Sequence, residues 1–377
     1  MIIRRAARKQ ARNRISGYYL AGIMTVLAVG GTLLARTGPG VTPPAAANTT
    51  AANAAHRISA AGTGGSAEHA GKVSPAPCHH VRGPFRLRGA HVVTGSGARF
   101  VPYGINLTGL RRPRDATAMR AEVDAAATSW CANLVRLGFF QERHISNAFL
   151  SALRSVVRRA EDDGLVVVIS VGSKRVPVPD RRTRLVWRRL TGPYGHNRQV
   201  IFDLFNEPAG PWDSWHNRMQ NLARYIRHHG GRNLFWVEGS HRAVNLRKIP
   251  RWHLTGVGPV AYSEHRPPGR HVWSSWKRSF GFLARRYPVV EGEWVNYSRA
   301  NAAWACWDDA PHAVPRFLRY LARHKLGLVG YNLAGPRLLE SANLADPNHI
   351  RADWTCSRSV NEGAGHLIMT WLHSHNG

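Results

Sequence analysis

The sequence predicts an α/β protein whose main domain is a (β/α)₈ TIM barrel with an N-terminal β-hairpin, preceded by a signal or anchor helix and a disordered linker. Three observations lead there. Beyond residue 80, short apolar runs alternate with longer amphipathic segments, the pattern of a parallel sheet covered by helices. Eight such runs can be placed. No glycine-rich phosphate loop follows the first, which argues against an open nucleotide-binding sheet, although an open doubly wound sheet would show the same alternation.

The chain has 377 residues and divides into segments 1–36, 37–77 and 78–377. In the first, Arg4, Arg5, Arg8, Lys9, Arg12 and Arg14 precede an uncharged stretch from Ile15 to Ala35. That is the pattern of an export signal. The stretch is longer than the signal-peptide core of about 7–15 residues and approaches the roughly 20 that span a bilayer, so an anchor with its basic end inside is expected. Cleavage near Ala45–Ala47 is the alternative. Thr37 to Pro77 is rich in Ala, Gly, Thr, Ser and Pro and cannot bury enough apolar surface to fold, so it reads as a linker.

Cys78, Cys131, Cys306 and Cys356 follow, and an even number in an exported chain permits disulfides; Cys78 with Cys131 and Cys306 with Cys356 are the expected pairs. Their spacing fits no zinc site. The hairpin comes next, His91–Val93 and Ala98–Phe100 around Thr94-Gly95-Ser96-Gly97. Strands are expected at Val101–Asn106, Cys131–Leu137, Leu165–Ser170, Gln199–Phe205, Asn233–Val237, Val257–Tyr262, Tyr287–Gly292 and Leu326–Tyr331. Helical patterns between them include Asp115–Trp130, Ser146–Asp163, Trp212–His229 and Val314–His324.

In such a barrel the working residues sit at the C-terminal ends of strands. Polar residues fall there: Asn106, Arg136, Asn206, Glu207, Glu238, Glu264, His265 and Glu293. Strands four and seven face each other across the lumen, so Glu207 and Glu293 can form a carboxyl pair. Two carboxyls roughly 5 Å apart are what hydrolysis of a glycosidic bond with retention needs.

The run Phe100-Val101-Pro102-Tyr103-Gly104-Ile105-Asn106 resembles the first strand of glycoside hydrolase family 5. Asn133-Leu134-Val135-Arg136-Leu137, Ile201-Phe202-Asp203-Leu204-Phe205-Asn206-Glu207-Pro208, Tyr262-Ser263-Glu264-His265 and Pro288-Val289-Val290-Glu291-Gly292-Glu293-Trp294 continue the resemblance in order, over about residues 85–335. It implies a retaining β-glycosidase of cellulase or mannanase type, with Glu207 as catalytic acid/base and Glu293 as nucleophile. It also implies that Arg136 holds the nucleophile ionised, that Asn206 binds the sugar 2-hydroxyl and that His265 lines the same subsite. Trp294 is a further expected sugar contact, by stacking, and Trp212, Trp304, Trp307 and Trp354 are weaker platform candidates. Glu291 is expected to be a buried structural carboxylate one layer below Glu293, and Glu238 a solvated or salt-bridged carboxylate on the rim.

The resemblance fails at three places. The third strand ends Ile169-Ser170-Val171-Gly172 where the family has a His, Pro267 stands where an aromatic is usual, and the eighth strand delivers Tyr331 in place of a Trp. A different substrate is the preferred explanation, and a non-catalytic cell-wall glycan-binding barrel the rival. No cofactor and no metal are implied, and the expected partner is an extracellular polysaccharide, met by a monomer outside the cell or tethered to the membrane through the N-terminal segment. The formal charge of +30 comes from 52 Lys and Arg against 22 Asp and Glu. The arginines are scattered among His and Trp beyond the first residues, so no nucleic acid is expected, while attraction to an acidic envelope polymer stays open.

Overall fold

Alternation of side chains along each strand decides which residues meet the lumen and which the helices. A computed structural model describes residues 78–265, 276–294, 310–333, 338 and 365–377. The signal or anchor segment, the linker, Cys306, Cys356, Pro267, Trp304, Trp307 and Trp354 lie outside the described residues. No helix among the described residues is long and apolar enough to cross a membrane.

Eight parallel strands close into a barrel: β4 (Tyr103–Asn106), β5 (Leu134–Phe140), β6 (Val166–Gly172), β7 (Val200–Asn206), β8 (Phe235–Glu238), β9 (Val260–Glu264), β10 (Val289–Trp294) and β11 (Gly327–Gly330). β11 pairs with β4, which completes the ring. The helices include α1 (Ala116–Thr128), α2 (Asn147–Asp162), α3 (Arg181–Tyr194), α4 (Trp212–His228), a short α5 (Ile249–Trp252), α6 (Ala310–His324) and α7 (Gly365–Asn376). Their starts are written locally. Ser146 accepts the Phe149 N–H at 3.1 Å to begin α2, and Asp180 and Thr183 cap each other's backbone to begin α3.

Two apolar layers hold the ring. Leu134, Val166, Val168, Ile201, Trp236, Ala261, Val290 and Val329 fill the lumen, and Phe85, Val92 and Phe100 plug its lower end. Val135, Val167, Ile169, Phe202, Leu204 and Val237 face outward against the helices. The plug comes from a three-stranded antiparallel sheet, β1 (Arg86–Arg88), β2 (His91–Val93) and β3 (Arg99–Phe100), one strand more than the expected hairpin. A disulfide joins Cys78 to Cys131 below the barrel, as expected. Beside it, His79 donates its N–H to the Asn376 carbonyl at 2.6 Å.

Several strand ends differ from expectation. Cys131 has a φ of 51° and lies in a turn, so β5 begins at Leu134. Gly256 and Gly258 take φ values of 66° and 76° before Pro259, and β9 therefore starts at Val260.

A period of two explains what lies above the apolar lumen. Leu134, Val168, Ile201, Trp236 and Ala261 point inward, so Arg136, Ser170, Asp203, Glu238 and Ser263 form the next layer up. Two strands then break the period. β7 spends three residues, Asp203 to Asn206, where β6 spends two, Ser170 to Gly172. β10 likewise passes from Glu291 to Trp294 while β11 passes from Leu328 to Gly330. These one-residue irregularities bring Asn206 and Glu293 onto the lumen side of the rim.

Candidate active site

Arg136 is the hub of the cluster. It is buried, and its guanidinium reaches five strands. Nε and Nη2 donate to Asp203 Oδ2 at 2.9 and 2.7 Å, and Nη1 donates to Asn106 Oδ1 at 2.9 Å. Nη2 also reaches Ser170 Oγ at 3.0 Å, Asn206 Oδ1 at 2.6 Å and Glu238 Oε1 at 2.9 Å. Nη1 donates to Oε1 of Glu293 as well. Burial opposes its charge, but Glu293, Asp203 and Glu238 outweigh that and hold the guanidinium firmly protonated.

Glu207 and Glu293 stand above this layer. The Glu207 side chain is 39% exposed and that of Glu293 is 18% exposed, so both open onto the rim. His265 is buried between them, with Nδ1 3.8 Å from Glu207 Oε1 and 3.7 Å from Glu293 Oε2. One oxygen of each glutamate and a ring nitrogen of His265 all lie within 4.8 Å of one another. That spacing could grip a cation, but Arg136 and a protonated His265 already place two positive charges against it, and the trio is assigned no ion.

Charge explains the titration. Burial opposes an imidazolium, yet Glu238 and Glu293 beside His265 raise its pKa well above the usual histidine value. Burial pushes Glu207 up, but the hydrogen bond and charge of His265, then Arg242 and Arg136, bring it below the usual glutamate range. Asp203 is raised to about 7, by burial first and by its neighbour Glu238 second. Four carboxyls, Asp203, Glu207, Glu238 and Glu293, thus share the space with Arg136, His265 and Arg242.

The structure brings Glu207, Glu293, Arg136, Asn206 and His265 together. It removes Trp294: the ring is buried on the outer side of β10 and stacks on Phe317 of α6, centroids 5.5 Å apart. The irregularity that turns Glu293 inward leaves its neighbour on the helix side, so Trp294 offers no face to a sugar. Trp212 is likewise buried, against Trp215 at 5.0 Å. Glu291 is buried, but not below Glu293. Val290 and Gly292 point inward, and Glu291 faces out beside its register partner Glu264.

Glu238, expected as a solvated or salt-bridged carboxylate, is salt-bridged and not solvated. It has no exposed surface, and it pairs with Arg136 and His265 while accepting the Glu207 N–H. The signal was present in the alternation of Trp236 and Glu238, which turns Glu238 inward with Asp203. Ser170, on the strand that lacks the family's His, accepts from Arg136.

A family model described as cellulase, glycosyl hydrolase family 5, matches residues 95–333. The chain belongs to glycosyl hydrolase family 5. It is accordingly a glycoside hydrolase, and all the rim residues above fall inside the matched span. Among solved structures it is similar to a β-glucanase from Saccharophagus degradans in complex with cellotetraose, at 18% identity and a TM-score of 0.65, covering 81% of this chain and 98% of that one. It is also similar to the endoglucanase catalytic domain from Thermobifida fusca, crystallised with cellotetraose, at 14% identity and a TM-score of 0.62, covering 77% and 97%. A β-mannanase from Thermomonospora fusca aligns at 14% identity and a TM-score of 0.52, covering 67% and 85%. At these identities the likeness is one of fold. No curated protein matches the sequence.

Proposed function

We propose that this family 5 member is a retaining endo-acting glycosidase that cleaves β-glycosidic bonds of an extracellular polysaccharide, with Glu207 as general acid/base and Glu293 as nucleophile. The observation that carries this reading is the closeness of the two carboxylates, with oxygens within 4.8 Å on the open rim. Retaining enzymes place their pair about 5–5.5 Å apart, whereas inverting enzymes leave about 6.5–9.5 Å for a water.

Glu293 attacks the anomeric carbon as the bond to the glycosidic oxygen breaks, and Glu207 gives that oxygen its proton. A water then attacks the glycosyl ester while Glu207 takes its proton, which releases Glu293 and the sugar with the original configuration. Arg136 donates to Glu293 and holds the nucleophile in place. Asn206, whose Oδ1 accepts from Arg136, would offer its amide nitrogen to the 2-hydroxyl. His265 would line the same subsite and bias Glu207 toward its ionised form, so the acid is best supplied below neutral pH.

The polysaccharide assignment draws on neighbours crystallised with cellotetraose and on the mannanase fold relative. Export draws on the basic N-terminus and the apolar stretch after it. The test is a screen of β-glucans and β-mannans with the first-formed anomer followed by NMR. Initial appearance of the β-anomer supports the reading. The α-anomer first, or binding without any hydrolysis, removes it.

A further inference from the structure

We propose that Glu238 is a positioning residue of this site: a single buried carboxylate on β8 that holds the backbone of Glu207, the guanidinium of Arg136 and the imidazole of His265 at once, and so sets how Glu207 meets the leaving oxygen. The proposal rests on the reading of Glu207 as acid/base given above. Glu238 has no exposed surface and cannot touch a sugar itself.

The need for such a residue comes from where β7 leaves the sheet. β7 pairs with β8 at Phe202↔Phe235 and Asp203↔Trp236. Beyond Asp203 the one-residue irregularity begins, and Glu207 follows with a φ of 50°, a left-handed conformation that disfavours a side chain. Its N–H points at no ladder carbonyl. Oε2 of Glu238 accepts that N–H instead. The other oxygen, Oε1, accepts from Arg136 Nη2 at 2.9 Å and lies 3.2 Å from His265 Nε2.

Glu238 is itself braced. Trp215 Nε1 of α4 donates to its carbonyl at 3.0 Å. The chain after it turns through His241, Arg242 and Ala243, three successive non-glycine residues with φ of 62°, 59° and 58°. That turn clamps both partners: Arg242 N–H donates to the Pro208 carbonyl at 2.8 Å, and His265 N–H donates to the Ala243 carbonyl at 3.0 Å. Strand β8 and its turn therefore grip the chain on either side, at Glu207-Pro208 and at His265.

Neutralising Arg136 does not account for Glu238. Asp203 and Glu293 also accept from the guanidinium, and burying a further carboxyl is costly unless it does something else. What it adds is direction for Glu207.

The test compares kcat/KM on cellotetraose, whose leaving sugar needs a proton, with kcat/KM on 2,4-dinitrophenyl β-cellobioside, whose leaving group needs none. Both values report the step that forms the glycosyl-enzyme. Glu238→Gln keeps the shape of the side chain but not its charge. It is expected to lower kcat/KM on cellotetraose about 100-fold, while the dinitrophenyl substrate changes less than about threefold. Glu238→Asp keeps the charge for Arg136 and His265 but draws the carboxylate back from the Glu207 N–H. It should show the same selective loss in smaller measure, which also covers the case in which Glu238→Gln does not fold. Glu207→Ala is the reference and should show the largest selective loss. Equal losses on both substrates in the Glu238 variants, beside a selective loss in Glu207→Ala, overturn the positioning role alone. No selectivity in Glu207→Ala overturns the acid/base reading, and the proposal with it.

Discussion

Arg136 Nη1, from β5, donates to Oε1 of Glu293, from β10, across the lumen of the barrel. The bond ties a buried cation, anchored below by Asp203, to a carboxylate that opens on the rim. A nucleophile must not wander, and this charge-assisted pairing fixes its carboxylate toward the lumen.

His265 controls the second glutamate. The groups facing it are Glu207, Glu238 and Glu293, and Arg242 and Arg136 act on Glu207 as well. kcat/KM follows the protonated fraction of the acid in the free enzyme. Because Glu207 is held below the usual glutamate range, kcat/KM should fall as pH rises through the acidic region. Removing the imidazolium with His265→Gln removes the main force that lowers Glu207, so the basic limb of the profile should move to higher pH. A limb that stays in place or moves lower would contradict this electrostatic account.

Glu122 of α1 gives a stability prediction far from the chemistry. It is buried, and it accepts from the Thr108 N–H at 2.7 Å and from Thr108 Oγ1 at 2.6 Å. Burial raises it to about 7 despite those bonds. A carboxyl raised on folding stabilises fully below its unfolded pKa and loses that contribution as pH climbs through the folded value. Between pH 4 and 8 the loss for Glu122 is of order 3 kcal/mol. Glu122→Gln should therefore flatten the denaturant stability profile over that window, and should leave the fall due to Asp203 in place. An unchanged slope would show that folding leaves the Glu122 carboxyl unshifted.

The Cys78–Cys131 bridge closes a loop with a sequence separation of 53. Restricting a chain segment of that length in the unfolded state is worth about 4 kcal/mol in the chain-entropy treatment. Cys78→Ser with Cys131→Ser should lower unfolding stability by up to that amount and leave kcat/KM on an active substrate within about twofold, since the bridge lies at the opposite end of the barrel from the rim. A large fall in activity with unchanged stability would reverse this assignment.

Much of the barrel was legible because its strands are short apolar runs between amphipathic helices, and the pattern beginning at Ser146 starts where α2 does. Strand ends were less so: glycines at positive φ and Pro259 delay β9, and Cys131 does the same for β5. The carboxyl pair was legible from strand ends and from motifs. What sequence periodicity could not show is the extra residue in β7 and in β10. Strict alternation places Glu291 and Glu293 on one face, and only the irregularity between Glu291 and Trp294 separates them, which also sends Trp294 to the helix side. Glu238 was legible as a salt-bridged carboxylate but not as a buried one: its strand-end position suggested solvent, whereas its alternation with Trp236 turns it inward onto Arg136 and His265.

The most direct test of the account is covalent trapping with 2,4-dinitrophenyl 2-deoxy-2-fluoro-β-cellobioside, followed by peptide mapping in a mass spectrometer. The fluorine slows breakdown of the glycosyl-enzyme, so the side chain that attacks the anomeric carbon keeps the sugar. The account predicts a single adduct, on Glu293. An adduct on Glu207, Glu238 or Glu291 would contradict it.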